Sequence, residues 1–459
     1  MATASADTLV DRLRLHGPTP ARPLLDALGV SQPTLSRLVR SAGPRLVRIG
    51  RARRTRYAAV REVRTLGHAW PVYRVDAAGR IAQAATLHAL YPRAWWYDTP
   101  SPPAWLHGEF SDGIFPDLPW FLDDLRPQGF LGRAFARRHA DRLRLGPDPQ
   151  LWDADGVLAA ILAFGDDVPG DVVVGDAAAE RVQRAMLREP ESVREDERAA
   201  WYEAAAVAAL AGDVAGSSAG GEQPKFPGCV LGRDGMHRHV LVKFSPPLET
   251  PVGRRWADLL ACEQLAAETL RAHGVSACET EWVEGPQRAF LEVRRFDRVG
   301  AHGRRGVVSL FAMESAYYGL LDTWSAAAER MARDGWLASD DAETLRLLWL
   351  FGQLIANADM HFANVSLLLD GERPLALAPS YDMLPMHYRP SVAGEIVARP
   401  FDPAPPPPRH RVAWSRTAGI AMDFWGRVAE DPRVSDGFRR EAGRNRQAVR
   451  SVAERFAGH

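Results

Sequence analysis

Asn357-Ala358-Asp359-Met360-His361-Phe362-Ala363-Asn364, followed eighteen residues on by Asp382, is the stretch around which the rest of the chain is built. Upstream, residues 345–355 (LRLLWLFGQLI) are apolar on nearly every side, which predicts a helix buried in a sizeable core. Downstream, residues 365–369 (VSLLL) predict a short strand, with Asp370-Gly371 as a turn. A polar loop with Asp, His and Asn, and a second Asp one hairpin away, suits magnesium-assisted phosphoryl transfer. One carboxylate orients a hydroxyl nucleophile and takes its proton, while an amide oxygen and the other carboxylate hold the metal. The same residues also suit a capped turn whose side chains satisfy loop backbone groups.

A second segment supplies what such a loop needs. Residues 216–225 (GSSAGGEQPK) are small and Gly-rich, and residues 240–244 (VLVKF) predict a strand carrying Lys243. Glycines let successive N–H groups approach phosphate oxygens, and a strand lysine reaches them as a point charge. The G-x-x-x-x-G-K-[ST] spacing of a P-loop is absent. Composition sharpens the reading: of 57 basic residues only two, Lys225 and Lys243, are lysine. A chain that uses arginine everywhere else keeps lysine where a compact ammonium is needed and the broad guanidinium does not fit.

Four segments resemble the HipA family of bacterial serine/threonine kinases: SSAGGEQPK (217–225), LVKF (241–244), RRFDR (294–298) and NADMHFAN with LAPSYD (357–364 and 377–382). A fifth, LPWFLDDLRPQG (118–129), resembles that family's N-terminal subdomain, and the order agrees over roughly residues 70–459. The resemblance implies an α+β, two-lobed protein-kinase-like fold using ATP and Mg2+. It implies Asp359 as catalytic base, Asn364 and Asp382 as magnesium ligands, and Lys243 as the phosphate-contacting lysine. Ser218, Ala219, Gly220, Gly221, Glu222, Gln223, Pro224 and Lys225 would form the nucleotide loop, with Ser218 at the family's autophosphorylated serine. Arg295, Phe296, His361 and Tyr381 complete the expected nucleotide surroundings. His361 is expected to support the loop from outside and Tyr381 to orient Asp382. Where the family usually has an acidic residue before Arg-Phe-Asp-Arg, this chain has Arg294.

Residues 1–67 differ from the average. The whole chain has a formal charge of zero, so no global field favours nucleic acid, yet this segment holds thirteen arginines against four acids, a net of +9. Helices are expected over 8–15, 21–28 and 32–41, with Gly17-Pro18, Gly29 and Gly43-Pro44 as stops and Ser31 as an N-cap. Residues 46–57 alternate and turn at Gly50-Arg51, as the hairpin of a winged helix-turn-helix does. The third helix then offers Gln32, Thr34, Ser36, Arg37 and Arg40 to a major groove, while Arg51, Arg53 and Arg54 of the wing meet phosphates. A small helical bundle with a solvated arginine face is the alternative. Within the HipA resemblance this head is an extra piece, as in YjjJ-type members.

Elsewhere, residues 70–81 predict a hairpin with its tip at 76–79, and 130–144, 156–164 and 177–186 predict helices. Acidic residues 189–197 read as a solvated turn, and Trp95 and Trp96 as packing. A long helix over 254–273 offers Glu263 or Glu268 to Lys243, and Asp297 reads as an ion-pair partner. Residues 401–410 (FDPAPPPPRH) read as an exposed polyproline-like segment, and 412–457 as closing helices. Three scattered cysteines fit buried thiols in a reducing cytoplasm rather than a zinc site or a disulfide framework, and no apolar run is long enough for a membrane span.

The expected organisation is a winged helix-turn-helix domain (1–67), a HipA-like N-terminal subdomain with the nucleotide lobe (68–300), and a mostly helical catalytic lobe (301–459). The resemblance implies a toxin of a toxin–antitoxin system that phosphorylates a protein, a translation component in known members. Expected partners are DNA through the head, a separate antitoxin and a second copy of the chain. The rival expectation is a nucleotide-sensing regulator without kinase activity, against which the retained base and both metal ligands argue. A small-molecule alcohol as acceptor is a third.

Overall fold

The computed structural model describes residues 4–212, 223–391 and 393–456. The head is three helices, Ala6–His16, Ala21–Leu28 and Gln32–Ala42, and a three-stranded antiparallel sheet of Thr19–Pro20, Leu46–Ile49 and Arg56–Ala59. Apart from short 3-10 turns, the order is helix, strand, helix, helix, strand, strand. Ser5 Oγ accepts from Thr8 N at 3.1 Å to start the first helix, and Gly29, at φ +61°, ends the second. Leu9, Val10, Leu13, Leu24 and Leu35 close a small core of their own.

The head is not tethered by a loose linker. Arg61 grips Asp155 with both terminal nitrogens (2.5 and 2.9 Å), Arg61 N donates to Ala89 O, and Tyr91 N donates to Ala59 O. Ile49 and Ala58 pack with Leu90, so sheet meets sheet through an apolar seam.

The middle region is a five-stranded antiparallel sheet in the order Ile114–Phe115, Trp95–Asp98, Ile81–Ala89, Ala69–Val75, Val172–Val174, flanked by helices Gly129–Leu143, Ala154–Phe164 and Asp176–Met186. Trp95 is fully buried and Trp96 stacks on His88, as packing residues do. This region shares one continuous core with the helical lobe: Trp105, Trp120 and Phe121 pack with Tyr317 and Trp336.

A second five-stranded sheet, ordered Thr280–Glu284, Ala289–Arg294, His237–Phe244, Lys225–Leu231, Val193–Arg194, has a separate apolar cluster around Phe226, Phe244 and Phe290. Within the solvated turn expected over 189–197, residues 195–197 do turn, and Val193–Arg194 add a short strand parallel to its neighbour. Helix Pro251–Ala272 lies between this sheet and the helical lobe, which contains Leu310–Tyr317, Trp324–Arg333, Ser339–Leu354, Arg411–Glu430 and Asp436–Phe456. The two-lobed α+β architecture matches the expectation. The proline-rich 401–410 segment is less exposed than expected: Pro403 and Pro406 are buried, and Phe401 packs on Trp425. The three cysteines are buried and unpaired, and among the described residues no helix is long and apolar enough to cross a membrane.

Candidate active site

Lys243 lies on the central strand of the second sheet, and antiparallel register places Lys225 directly opposite. Lys225 is 2% exposed and Lys243 3%, so neither is a surface cation. Like charges facing each other across a strand pair repel, and buried ammoniums demand anions. Glu263, on the helix packed behind the sheet, supplies one: its Oε1 is 2.5 Å from Lys243 Nζ. Asp382 supplies the other, bonded to the same Nζ through Oδ1. Glu268 instead accepts from Gln264 Nε2 at 2.9 Å, which leaves Glu263 as the lysine's partner.

The electrostatics follow from this crowding. Burial opposes charge on Asp382, but Lys243 and then Lys225 outweigh it and hold the carboxyl below its ordinary range, with His361 adding to the effect. Burial likewise opposes charge on Lys243, and Asp382 and Glu263 overcome it, so the ammonium is held well above the ordinary lysine value. Glu263 moves the other way: burial, with Asp382 adding to it, outweighs Lys243 and raises the carboxyl.

The polar loop is built on the end of helix Ser339–Leu354. Gly352 allows Met360 of the loop to lie on the helix, since a Cβ there would sit 2.4 Å from Met360 Sδ. Asn357, 7% exposed, ties the site together. Its Oδ1 accepts from Asp359 N at 3.0 Å, and its Nδ2 donates to the carbonyl of Asp382 at 3.3 Å. Asn364 Nδ2 donates to Asp359 O at 2.9 Å, which leaves its amide oxygen as a donor for a cation. Asp382 has φ +56°, a left-handed conformation that Asp tolerates better than most residues and that persists only where surroundings fix it. Beneath it, Tyr381 Oη is 2.8 Å from Ser366 Oγ and donates to Ala363 O at 3.0 Å.

Thus Lys225, Lys243, Asp359, Asn364 and Asp382 converge, as does His361, which is exposed but close enough to act on Asp382. Gln223 and Pro224 lead into the Lys225 strand, with Pro224 O accepting from Phe244 N at 3.3 Å. Ser218, Ala219, Gly220, Gly221 and Glu222 lie outside the described residues. Arg295 is engaged elsewhere. It clasps Asp297 with two bonds of 3.0 and 2.9 Å, and Arg298 joins the same carboxylate at 2.7 Å. Asp297 is therefore an ion-pair centre, as its sequence context indicated. Phe296 stacks on Tyr381, centroids 5.8 Å apart, and Arg294 pairs with exposed Glu279. Asn357 and Ser366 are the residues the sequence reading passed over. Asn357 opens the quoted motif, and its spacing of two from Asp359 was the available sign.

In the head, Gln32, Arg37, Arg40, Arg51 and Arg54 are exposed, Thr34 and Ser36 partly so, and the Arg53 side chain lies outside the described residues.

Residues 66–183 match the family model of the YjjJ-like toxin middle domain, and residues 217–456, more than half the chain, match that of the HipA-like C-terminal domain. The chain belongs to the HipA-like toxin family. The Escherichia coli (strain K12) protein Toxin YjjJ is 39% identical over 446 residues, covering 97% of this chain and 98% of that protein. Among solved structures, HipA of Shewanella oneidensis MR-1, from a complex with HipB and operator DNA, aligns with a TM-score of 0.51 at 15% identity. That alignment covers 85% of this chain and 97% of the other, and it shows the fold shared within the HipA-like family.

Proposed function

We propose that this HipA-like chain is an ATP- and magnesium-dependent serine/threonine protein kinase of the toxin type, with a DNA-binding head. The observation that carries the reading is Lys243 bonded at once to Glu263 and Asp382, with Lys225 facing it. A lysine–glutamate pair joined to a metal-binding aspartate is the arrangement phosphoryl transfer needs in kinases. Lys243 and Lys225 meet phosphate oxygens. Asp359 orients the acceptor hydroxyl and takes its proton. Asn364 and Asp382 offer only oxygen donors, which fits Mg2+, and they would hold it. The ion, when bound, supplies countercharge for the triphosphate. That supply is needed because the two lysines already face two carboxylates, leaving little surplus positive charge among the described residues.

The Gly-rich loop with Ser218 is read as the autophosphorylation segment. The head's exposed arginines and winged-helix order support DNA binding through Gln32, Thr34, Ser36, Arg37, Arg40, Arg51, Arg53 and Arg54. The Shewanella complex motivates an antitoxin partner, and the family a protein substrate, a cytoplasmic site of action and a homodimer. Intact mass after incubation with ATP and magnesium tests the kinase. A gain of one phosphate, absent in Asp359→Asn, is expected; equal phosphorylation in both proteins would overturn the reading and favour a nucleotide sensor.

A further inference from the structure

Tyr381, beneath Asp382, is held by groups that lead out of the catalytic lobe. Its hydroxyl meets Ser366 Oγ, and Ser366 is the cross-strand partner of Ser309. Ser309 is fixed in turn by Asp124, whose Oδ2 accepts from Ser309 N at 2.5 Å and whose Oδ1 accepts from Ser309 Oγ at 2.6 Å. The same Oγ accepts from Ala312 N at 3.1 Å and caps helix Leu310–Tyr317. Asp124 belongs to Trp120–Leu125 of the middle region, 185 residues earlier in the chain. A carboxylate that takes both the N–H and the hydroxyl of one serine fixes that residue in position and in rotamer.

We propose that Asp124 is a positioning residue for the Asp382 carboxylate, acting from the middle region through Ser309, Ser366 and Tyr381. The inference rests on the phosphotransfer reading of the site. A left-handed aspartate must be held by its surroundings, and here the hold extends into the region that matches the YjjJ-like middle domain. That region is then part of the catalytic apparatus rather than a spacer between head and kinase. Spatial continuity alone does not establish such coupling; a measured interaction does.

The test uses the full chain and follows the magnesium concentration that half-saturates binding of a non-hydrolysable ATP analogue. Asp124→Ala is expected to raise it about tenfold, the usual scale for groups that orient a metal ligand. Asp124→Asn, which can still bond both Ser309 groups, is expected to stay within about threefold of wild type. Combining Asp124→Ala with Tyr381→Phe should cost no more than the worse single change, because both cut one chain of contacts. Fully additive losses, or an unchanged magnesium requirement in Asp124→Ala, would overturn the proposal. Amide exchange without nucleotide decides independently. Exchange over residues 380–384 should speed in Asp124→Ala while strand His237–Phe244 stays protected, and unchanged exchange at 380–384 would also overturn it. A wild type that binds no magnesium-nucleotide refutes the kinase reading instead, and leaves the exchange comparison to judge Asp124.

Discussion

The head and the catalytic centre use positive charge in opposite ways. Residues 1–67 carry thirteen arginines against four acids, with Arg37, Arg40, Arg51 and Arg54 open to water. The centre carries two lysines, 2% and 3% exposed, set against two carboxylates. In water, a single charge contributes little to stability and acts through the summed field, which salt screens. Out of water, each charge must have a fixed partner, and removing one leaves the other uncompensated. The head's exposed cations therefore act through their summed field, whereas each cation of the centre depends on its own fixed partners.

The largest effect should come from charge at the centre. Asp359→Asn and Asp382→Asn are each expected to lower phosphoryl transfer by about 10²–10⁴-fold, read from the rate of phosphate incorporation. Asn tolerates the left-handed backbone at Asp382, so that variant removes the charge without straining the backbone. Next comes the identity of the cation. Lys243→Arg keeps the charge but has no room beside Glu263 and Asp382, and a loss of about 10²-fold in activity is expected. Arg51→Lys in the head, which keeps a phosphate-facing charge, should leave DNA binding nearly unchanged, and equal tolerance at the two positions would erase the contrast. Lys243→Met should lower unfolding stability by about 3 kcal/mol in denaturant titration, because two buried carboxylates lose their partner.

Smaller effects are expected in the head. Arg37→Ala and Arg51→Ala should each weaken DNA binding several-fold, with the slope of log affinity against log salt reduced by about one. Deleting residues 1–67 should remove specific binding, as a gel shift on the gene's own upstream DNA would show. The smallest effect lies near the seam between head and body. Burial lowers His88, stacked on Trp96, to about 4, and His68 adds to the effect. A histidine whose folded value is depressed binds its proton more readily unfolded. Stability should therefore fall as pH drops from about 6.5 toward 4, the window between the unfolded and folded values. In His88→Phe that part of the slope should vanish from melting curves taken across the same range.

Much of this was legible in the residues. The head's helices and its strand pair followed from stop signals and alternation because each is local: Gly29 ends its helix by its own backbone preference, and Leu9, Leu13 and Leu24 form the core within forty residues. Asp359, Asn364 and Asp382 stood out as candidates because the chemistry restricts which side chains could serve, and the structure sets them together. Lys225 and Lys243 stood out because the chain uses arginine everywhere else. Less legible were the pairings of charge. Asp297 read as an ion-pair partner, but that the clasping guanidinium would be that of Arg295, expected beside the nucleotide, was not visible in the linear order. Residues 189–197 read as a solvated turn, and 195–197 do turn, but the charge of the stretch hid a two-residue strand that borrows its hydrogen bonds from Lys225–Leu231.

By itself the sequence determined the kinds of group this protein commits to its work: scarce ammoniums, a loop of oxygen donors and an arginine-laden head. Residue type sets what a group can bind, and composition shows where the choice was constrained. Only the tertiary structure decided who partners whom. The register that sets Lys225 against Lys243, the turn of helix that hands Lys243 to Glu263 rather than Glu268, and the reach of Asp124 to Ser309 all join groups distant in the chain. Such long-range pairings are fixed by packing and by the exclusion of water from buried charge, and neither can be read from a linear order of residues.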